Sequence, residues 1–521
     1  MQAGKRLLAS PAMPAPPPDA IPDPDLVDVR DVAKAREALE ALGRDAWGEA
    51  LDWLEGHAAT RPIPPDRYPD LRREYYGPAG APGPAPERGV PAAEVLAAFR
   101  ERLTPQLYNA HHPRQWGFFT PPALPIAIAG EVLAAWTNQG IDLWLSGMSG
   151  PFVEEEVIRW LCDLIGYDAD GFGVLTSGGV MANLMAMAVA RDVALARAMG
   201  GGEGHVPRAA DLEGARVYVS DQAHFSIERG LDLLGFPSEV LRTLPSDERY
   251  RLRAEPVAEA IAEDRASGLH PFCIAAVCGS TNTGSVDDVP ALAELAEREG
   301  LWLHVDAAYG GAARLSPKLA DRVPGLERAD SVTVDPHKWF FQPYDIGGLL
   351  VRRRMDLLST FHRSPEYYRD VLPQDEPMHW YKYSLEGTRR FRALKLWMSW
   401  HHLGTQGFAT LVDRTVEIAD LLAGRLRERG FHVEPDPALS VVCFRHVPDG
   451  LPEEQVDDHQ DRLQRALEVD GTGWVSTTRL RGRTFLRAGV LNYLSEPADV
   501  DTVIDALLRL SEGILEDLDR S

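Results

Sequence analysis

The chain has 521 residues, a formal net charge of -24 at pH 7, 45% hydrophobic residues and four cysteines. That length exceeds a small binding module and suits two or three domains, or one large α/β unit with an appendage. The acidic excess, unrelieved by any long basic block, argues against nucleic acid or an anionic membrane as partner. Cys162, Cys273, Cys278 and Cys443 lie in or beside apolar runs without metal-ligand spacing, so reduced buried thiols in a cytoplasmic protein are expected, and no metal.

Residues 1–26 are rich in Ala and Pro, with one early basic pair and no long apolar segment, and read as a disordered tail, not a signal peptide. No uninterrupted apolar run reaches membrane-spanning length. Residues 27–110 form a helical wrapping segment: "VRDVAKAREALEALGRDAWGEALDWLEG" has helical apolar spacing and predicts a pair of helices. The proline-rich "RPIPPDRYPDLRREYYGPAGAPGPAPERG" is a linker or arm, and "PAAEVLAAFRERL" a further helix. In "HHPRQWGFFTPPALP" the prolines argue against regular structure, and its aromatic residues call for a pocket or a second subunit to cover them. Helices follow at about Ile126–Asn138 and Phe152–Ile165. Residues 111–385 then alternate short apolar strands with helices, through "GVLTSGG", "ARVYVSDQAHFSIERGLDLLG", "FCIAAVCGSTNTG", "LWLHVDAAYGG", "ADSVTVDPHKW" and "IGGLLVRR". This pattern predicts an α/β domain whose mostly parallel sheet is covered by helices on both faces. Residues 386–521 predict a small α+β domain: a long helix through "TLVDRTVEIADLLAGRLRERG", strands in "FHVEPDP", "LSVVCFRHV", "GWVSTTRL" and "RTFLRAGVLN", and a terminal helix from Pro497.

In such sheets ligands gather beyond the carboxyl ends of the strands. Ser177, Gly178 and Gly179, His224, the "GSTNTG" turn, Asp306 and His337-Lys338 all fall on that rim. "TSGG" before a helix offers close backbone approach and free amides at a positive helix end, which suits a phosphate. It lacks the Walker lysine and the full dinucleotide fingerprint, and a Gly-Gly turn is also an ordinary structural device. Asp306 closes an apolar strand, where a carboxylate needs a partner. It is a turn cap, an ion-pair partner, or the carboxylate that keeps an aromatic ring nitrogen protonated and makes the ring an electron sink. His224 either caps a turn or lies flat over such a ring. Lys338 is one of only six lysines, with Lys5, Lys34, Lys318, Lys382 and Lys395, in a chain whose surface cations are nearly all arginine. A group that must deprotonate and attack a carbonyl cannot be arginine, whereas a desolvated lysine near cations can be tuned to do so. Phosphate, ring nitrogen, ring face and aldehyde are each matched, and together they describe pyridoxal 5'-phosphate.

"DQAHFSIERG", "HVDAAYGG", "DPHKW" and "GTRRFRALKLW", in this order, resemble the pyridoxal-phosphate decarboxylases of the aromatic-L-amino-acid and glutamate decarboxylase group (group II). The resemblance runs from about Val27 to Leu510. It implies the fold type I architecture of pyridoxal-phosphate-dependent transferases and an obligate homodimer with shared active sites, which would explain the wrapping segment. By resemblance, Lys338 holds the cofactor aldehyde, Asp306 pairs with the ring nitrogen, Ala308 packs beneath the ring and His224 stacks above it. Ser177, Gly178, Gly179 and His337 would bind the phosphate, with Asp335 and Ser280 or Thr281 nearby. The substrate amine would displace Lys338, carbon dioxide would leave, and the carbanion, delocalised into the ring, would be reprotonated to the amine. "HRSPEYYRD", His362–Asp370, resembles the family's mobile catalytic loop, with Tyr367 as the proton donor. Relatives with phenylalanine there tend toward oxygen-dependent aldehyde formation, so Tyr367 and His224 favour simple decarboxylation.

Two departures touch the pocket. Val180 and Met181 replace the hydroxyl and acidic residues that usually follow "SGG", and "SGPFV" from Ser149 replaces a "SPAAT"-like stretch. Trp116, Phe118, Phe119 and Trp144 are candidate walls of an aromatic substrate pocket, or parts of a plain dimer core. Thr388 loosely matches a position that separates phenolic from indolic side chains. An aromatic L-amino acid is the expected substrate. The alternatives are glutamate, aspartate or diaminobutyrate, another reaction on the same scaffold (oxidative deamination, transamination, carbon-sulfur cleavage), and a catalytically silent dimer.

Overall fold

The computed structural model describes residues 22–56, 59–64, 67–78, 80–200, 207, 211–362 and 378–520. The expected tail, apart from its last five residues, and Tyr367 lie outside them. The chain divides into two compact units, Met1–Asn109 and Ala110–Ser521.

In the first unit a single helix, Val32–Glu55, stands in place of the expected pair, after a four-residue turn of helix at Pro24–Val27. The proline-rich arm contains a helix, Tyr68–Tyr76, whose Pro69 sits in the first turn, where a missing N–H costs nothing. Val32, Trp47 and Leu51 of the long helix are exposed.

The second unit is built on a seven-stranded sheet. Its strands are β1 (Phe172–Thr176), β2 (Ala215–Ser220), β3 (Leu241–Leu244), β4 (His270–Val277), β5 (Trp302–Asp306), β6 (Ser331–Val334) and β7 (Gly347–Val351). Their order is β1-β7-β6-β5-β4-β2-β3, and only β7 runs against the rest. β1, β5, β6 and β7 are buried along their lengths and β4 at all but its first residue, as expected of strands with helices on both faces. A second, antiparallel sheet orders β8 (His432–Val433), β9 (Val441–Arg445), β10 (Ser476–Leu480) and β11 (Arg483–Gly489) as β10-β11-β9-β8. The helix Ala393–Glu428, which leaves helical geometry at Gly404 (φ 62°), joins the two sheets. Its Leu396, Phe408 and Val412 enter the core under the large sheet, and Ile418, Leu422 and Leu426 enter the core of the small one.

The expected helices near Ile126 and Phe152 are Pro125–Thr137 and Gly150–Ile165. Gly179–Ala198 is a helical stretch long and apolar enough to cross a membrane. Arg191, Asp192 and Arg197 divide it, so it contains no uninterrupted apolar run of that length. Most of it is buried in the core beneath β7 and the helix Ser226–Leu233.

Candidate active site

The carboxyl ends of β1, β2, β4, β5 and β6 open onto one cavity of about 440 Å³. After Thr176 the chain turns through Ser177 and Gly178 into the helix Gly179–Ala190. Gly178 adopts φ 155°, which L side chains rarely take, and a Cβ there would lie 3.2 Å from His337 Cε1. A Cβ on Gly179 would fall 2.9 Å from Asp335 Oδ2, and one on Gly347 would fall 2.5 Å from Gly178 Cα. Glycine thus lets the His337 and Asp335 side chains and the Gly347 backbone close on the helix's positive end, which favours an anion. Val180 and Met181 also line the cavity, so the first helical turn offers it apolar side chains as well as amides.

Asp306 ends β5 almost wholly buried. Its Oδ1 accepts the Ala308 backbone N–H (3.1 Å) and its Oδ2 accepts from Asn183 Nδ2 (2.7 Å), so the carboxylate is held against rotation. His224 lines the same cavity, its Nδ1 2.8 Å from Ser226 Oγ. Burial holds its pKa below the usual imidazole range, against the nearby carboxylate of Asp306.

Lys338 follows β6 in the turn that begins at Asp335. Its Nζ lies 3.0 Å from Asp335 Oδ2, and His337 Nε2 lies 3.7 Å from the same oxygen. The depressed lysine expected from burial is not found. Desolvation does oppose the charge, but the carboxylates of Asp335 and Asp306 outweigh it and raise the Lys338 pKa. His337 Nδ1 donates to the Ile346 carbonyl (2.6 Å), and burial lowers its pKa.

One wall is aromatic. Phe119 stacks on Tyr309 (ring centroids 4.7 Å apart), which stacks on Trp339 (4.8 Å). Phe225 and Tyr344 complete the lining on other sides. Behind Phe119 lies the Arg487 guanidinium, 4.6 Å from the ring centroid, with its buried Nη2 lacking a hydrogen-bond partner.

Of the expected site residues, Phe119, Ser177, Gly178, Gly179, His224, Thr281, Asp306, Ala308, Asp335, His337 and Lys338 line this one cavity. Five expected residues do not line it. Ser280 is buried with its hydroxyl 2.9 Å from those of both Thr283 and Ser285, so it braces the turn while Thr281 faces the cavity. Trp116 is fully buried in the small-sheet core, its Nε1 donating to Ser495 Oγ (3.1 Å). Phe118 packs edge-on against Trp474 (4.4 Å). Backbone bonds from Trp116 N to Trp474 O and from Gly489 N to Trp116 O fix this stretch, leaving only Phe119 toward Tyr309. Trp144 begins a short helix, Trp144–Gly147, and Thr388 is exposed in the loop before the long helix. Sequence reading missed Asn183, Tyr309, Tyr344 and Arg487. Asn183 did leave a signal, as the one amide in the otherwise apolar helix "GVMANLMAMAVA".

A family model described as the pyridoxal-dependent decarboxylase conserved domain matches residues 76–447. The aromatic-L-amino-acid decarboxylase of Bacillus atrophaeus is 31% identical, over 92% of this chain and 96% of its own length. The L-2,4-diaminobutyrate decarboxylase of Acinetobacter baumannii is 28% identical, over 82% and 86%. The crystal structure of Oryza sativa TDC with PLP and tryptamine superposes with a TM-score of 0.84 at 26% identity, covering 92% of this chain and 98% of that one. The chain belongs to the family of pyridoxal-phosphate-dependent amino-acid decarboxylases.

Proposed function

We propose that this decarboxylase acts on an L-amino acid with an aromatic side chain, releasing the amine and carbon dioxide, and works as a cytoplasmic homodimer. The cavity fits pyridoxal 5'-phosphate. Glycine at 178 and 179 lets the helix's positive end pack against His337 and Asp335 with no side chain over its amides, which suits a phosphate, and Asp306, His224 and Lys338 line the same cavity. The Ser177–Gly179 amides and His337 would take the phosphate, with Thr281 and Asp335 nearby. Asp306 would meet the ring nitrogen, Ala308 and His224 the two faces, and Lys338 the aldehyde. When bound, the cofactor supplies the electron sink for the pair left by the departing carboxyl group.

The residues around it set the conditions. Asp306, fixed by two N–H donors, presents its charge in one direction without reorganising. Asp335 holds the proton on Lys338 Nζ. Phe119 and Tyr309, with the buried Trp339 stacked behind them, give this side of the cavity an apolar wall.

The observation that carries the aromatic reading is Phe119, whose ring walls the cavity together with Phe225 and Tyr344. The name of the Bacillus atrophaeus relative supports it. A second reading, an acidic substrate, is favoured by the unpaired buried Nη2 of Arg487 behind Phe119. The deciding experiment is a panel of L-amino acids with purified, cofactor-loaded protein, measuring carbon dioxide, amine, ammonia and peroxide together. Aromatic amines with equimolar carbon dioxide are expected. Preference for glutamate, aspartate or diaminobutyrate would overturn the substrate, and ammonia with peroxide would overturn the simple reaction.

The exposed Leu133, Trp136, Leu145, Met148 and Phe152 support the homodimer, as apolar side chains that a second subunit would cover; sedimentation of a single species at twice the chain mass is expected. The four cysteines are free and buried, in keeping with a reducing compartment. Cell fractionation would test that placement.

A further inference from the structure

Beneath the cavity floor runs a continuous chain of hydrogen bonds in which each donor and acceptor can be assigned. Trp302 Nε1, which can only donate, gives its proton to Ser331 Oγ (2.9 Å). The Ser331 hydroxyl donates to His304 Nδ1 (2.9 Å), because the Asn183 oxygen on the other side of the ring requires the proton of neutral His304 on Nε2. Neutral His304 then carries its proton on Nε2 and donates to Asn183 Oδ1 (3.1 Å), which also accepts from Thr333 Oγ1 (2.6 Å). With two donors on its oxygen, the Asn183 amide must turn its two N–H groups the other way. One goes to Asp306 Oδ2 and the other to Ser226 Oγ, each at 2.7 Å. The Asp306 carboxylate, an acceptor only, demands the same orientation independently.

The last step reaches the cavity. The Ser226 backbone N–H donates to His224 Nδ1 (3.3 Å) and so makes that nitrogen an acceptor, which leaves the Ser226 hydroxyl, held by Asn183, to donate to it as well (2.8 Å). His224 Nδ1 is thus an acceptor, and its single proton sits on Nε2. Trp302, Ser331, His304, Thr333, Asn183 and Ser226 are all buried, so water offers no competing partner.

We propose that Asn183 is a positioning residue that sets two groups of the site at once: it aims the Asp306 carboxylate and, through Ser226, fixes His224 as the neutral Nε2–H tautomer. The proposal rests on the assignment of Asp306 and His224 to the cofactor ring. Asparagine suits the place because it offers two acceptor sites on one side and two donors on the other. An aspartate would set a second carboxylate against Asp306, and a leucine would leave His304 Nε2, Thr333 and one Asp306 oxygen without their partner. The charged groups facing His224 are Asp306 and Asp335, which favour its protonation, and Lys338 and Arg229, which oppose it. Burial and the two donors on Nδ1 both act against a second proton.

The test uses apoprotein labelled with ¹⁵N at histidine, with His224 assigned by a His224→Gln variant, and reads tautomer and titration from ring-nitrogen shifts. The wild type should show His224 with its proton on Nε2. In Asn183→Leu the Ser226 hydroxyl loses the donor that orients it and is free to turn its proton away from His224, so an Nδ1–H population should appear and the titration of His224 should move to higher pH. Ser226→Ala removes the hydroxyl donor outright, with the backbone N–H at residue 226 kept in both variants, and should move tautomer and titration at least as far. Cofactor affinity should fall about tenfold in Asn183→Leu, the cost of one charge-assisted hydrogen bond to Asp306, and much less in Ser226→Ala. A wild-type His224 protonated on Nδ1, or an unchanged tautomer and titration in both variants, would overturn the proposal. If Asn183→Leu does not fold, Ser226→Ala decides the tautomer alone. Because the spectra are recorded without cofactor, they succeed or fail independently of the amino-acid panel.

Discussion

Lys338 Nζ stands 3.0 Å from the Oδ2 of Asp335, three residues earlier in the same turn. The pair explains why burial does not depress this lysine: the gain from an adjacent carboxylate exceeds the loss of solvation.

Asp335→Asn should therefore lower the Lys338 pKa and shift covalent uptake of pyridoxal phosphate by the apoprotein to lower pH. Following the near-visible absorbance of the bound cofactor from neutral to alkaline pH measures it, with Lys338→Ala as the null control. An unchanged pH profile would refute the coupling.

Arg389 and Glu154 form a fully buried ion pair that also grips the strand before the glycine turn. Arg389 Nη2 donates to the Leu175 carbonyl (2.7 Å), and Glu154 Oε1 accepts the Leu175 N–H (3.0 Å). Arg389→Met should cost about 3–5 kcal/mol, because it strands a buried carboxylate. Urea unfolding measures this, and a double variant with Glu154→Leu should recover part of the loss. Equal stability of the single variant and the wild type would show that the pair does not hold the turn.

His304 is fully buried, and burial pushes its pKa from 6.5 down to about 4. Between these values the unfolded chain binds more protons than the native one, so the stability owed to neutral His304 is whole above pH 6.5 and is lost as pH falls toward 4. The loss is about 3 kcal/mol. Denaturation on both sides of that window should show it, and His304→Gln should flatten the slope whatever its own effect on stability.

Tyr367 lies outside the described residues, and we propose it as proton donor on the resemblance of "HRSPEYYRD" to the family's catalytic loop alone. Tyr367→Phe should lower amine output and divert turnover toward aldehyde, with oxygen consumed and ammonia and peroxide released. Unaltered product ratios would remove Tyr367 from the reaction.

Much of the site is legible in local pattern. Ser177–Gly179, Asp306 and Lys338 each stand just after a short apolar run, and in a parallel sheet that position alone brings them to one rim. The aromatic stretch was harder to read. In Trp116–Phe119 no periodicity says which ring faces where, and it is pairing with Trp474 and Gly489, more than 350 residues away, that sends Trp116 to the core and Phe119 to the cavity. The single helix over Val32–Glu55 differs from the expected pair because Gly43 and Gly48 are tolerated inside a helix, at a modest cost in propensity.

The sequence by itself determined the alternation of strand and helix, the glycines of the phosphate-type turn, and the one lysine placed to meet an aldehyde, because each is written in neighbouring residues. Only the tertiary structure decided the protonation of that lysine and the tautomer of His224. Both depend on charges and hydrogen bonds from groups that folding brings into contact: Asp306 beside Asp335 and Lys338, and Asn183 between Ser226, His304 and Thr333. Inside the protein, where water cannot substitute for a missing partner, those contacts outweigh the intrinsic preference of any single side chain.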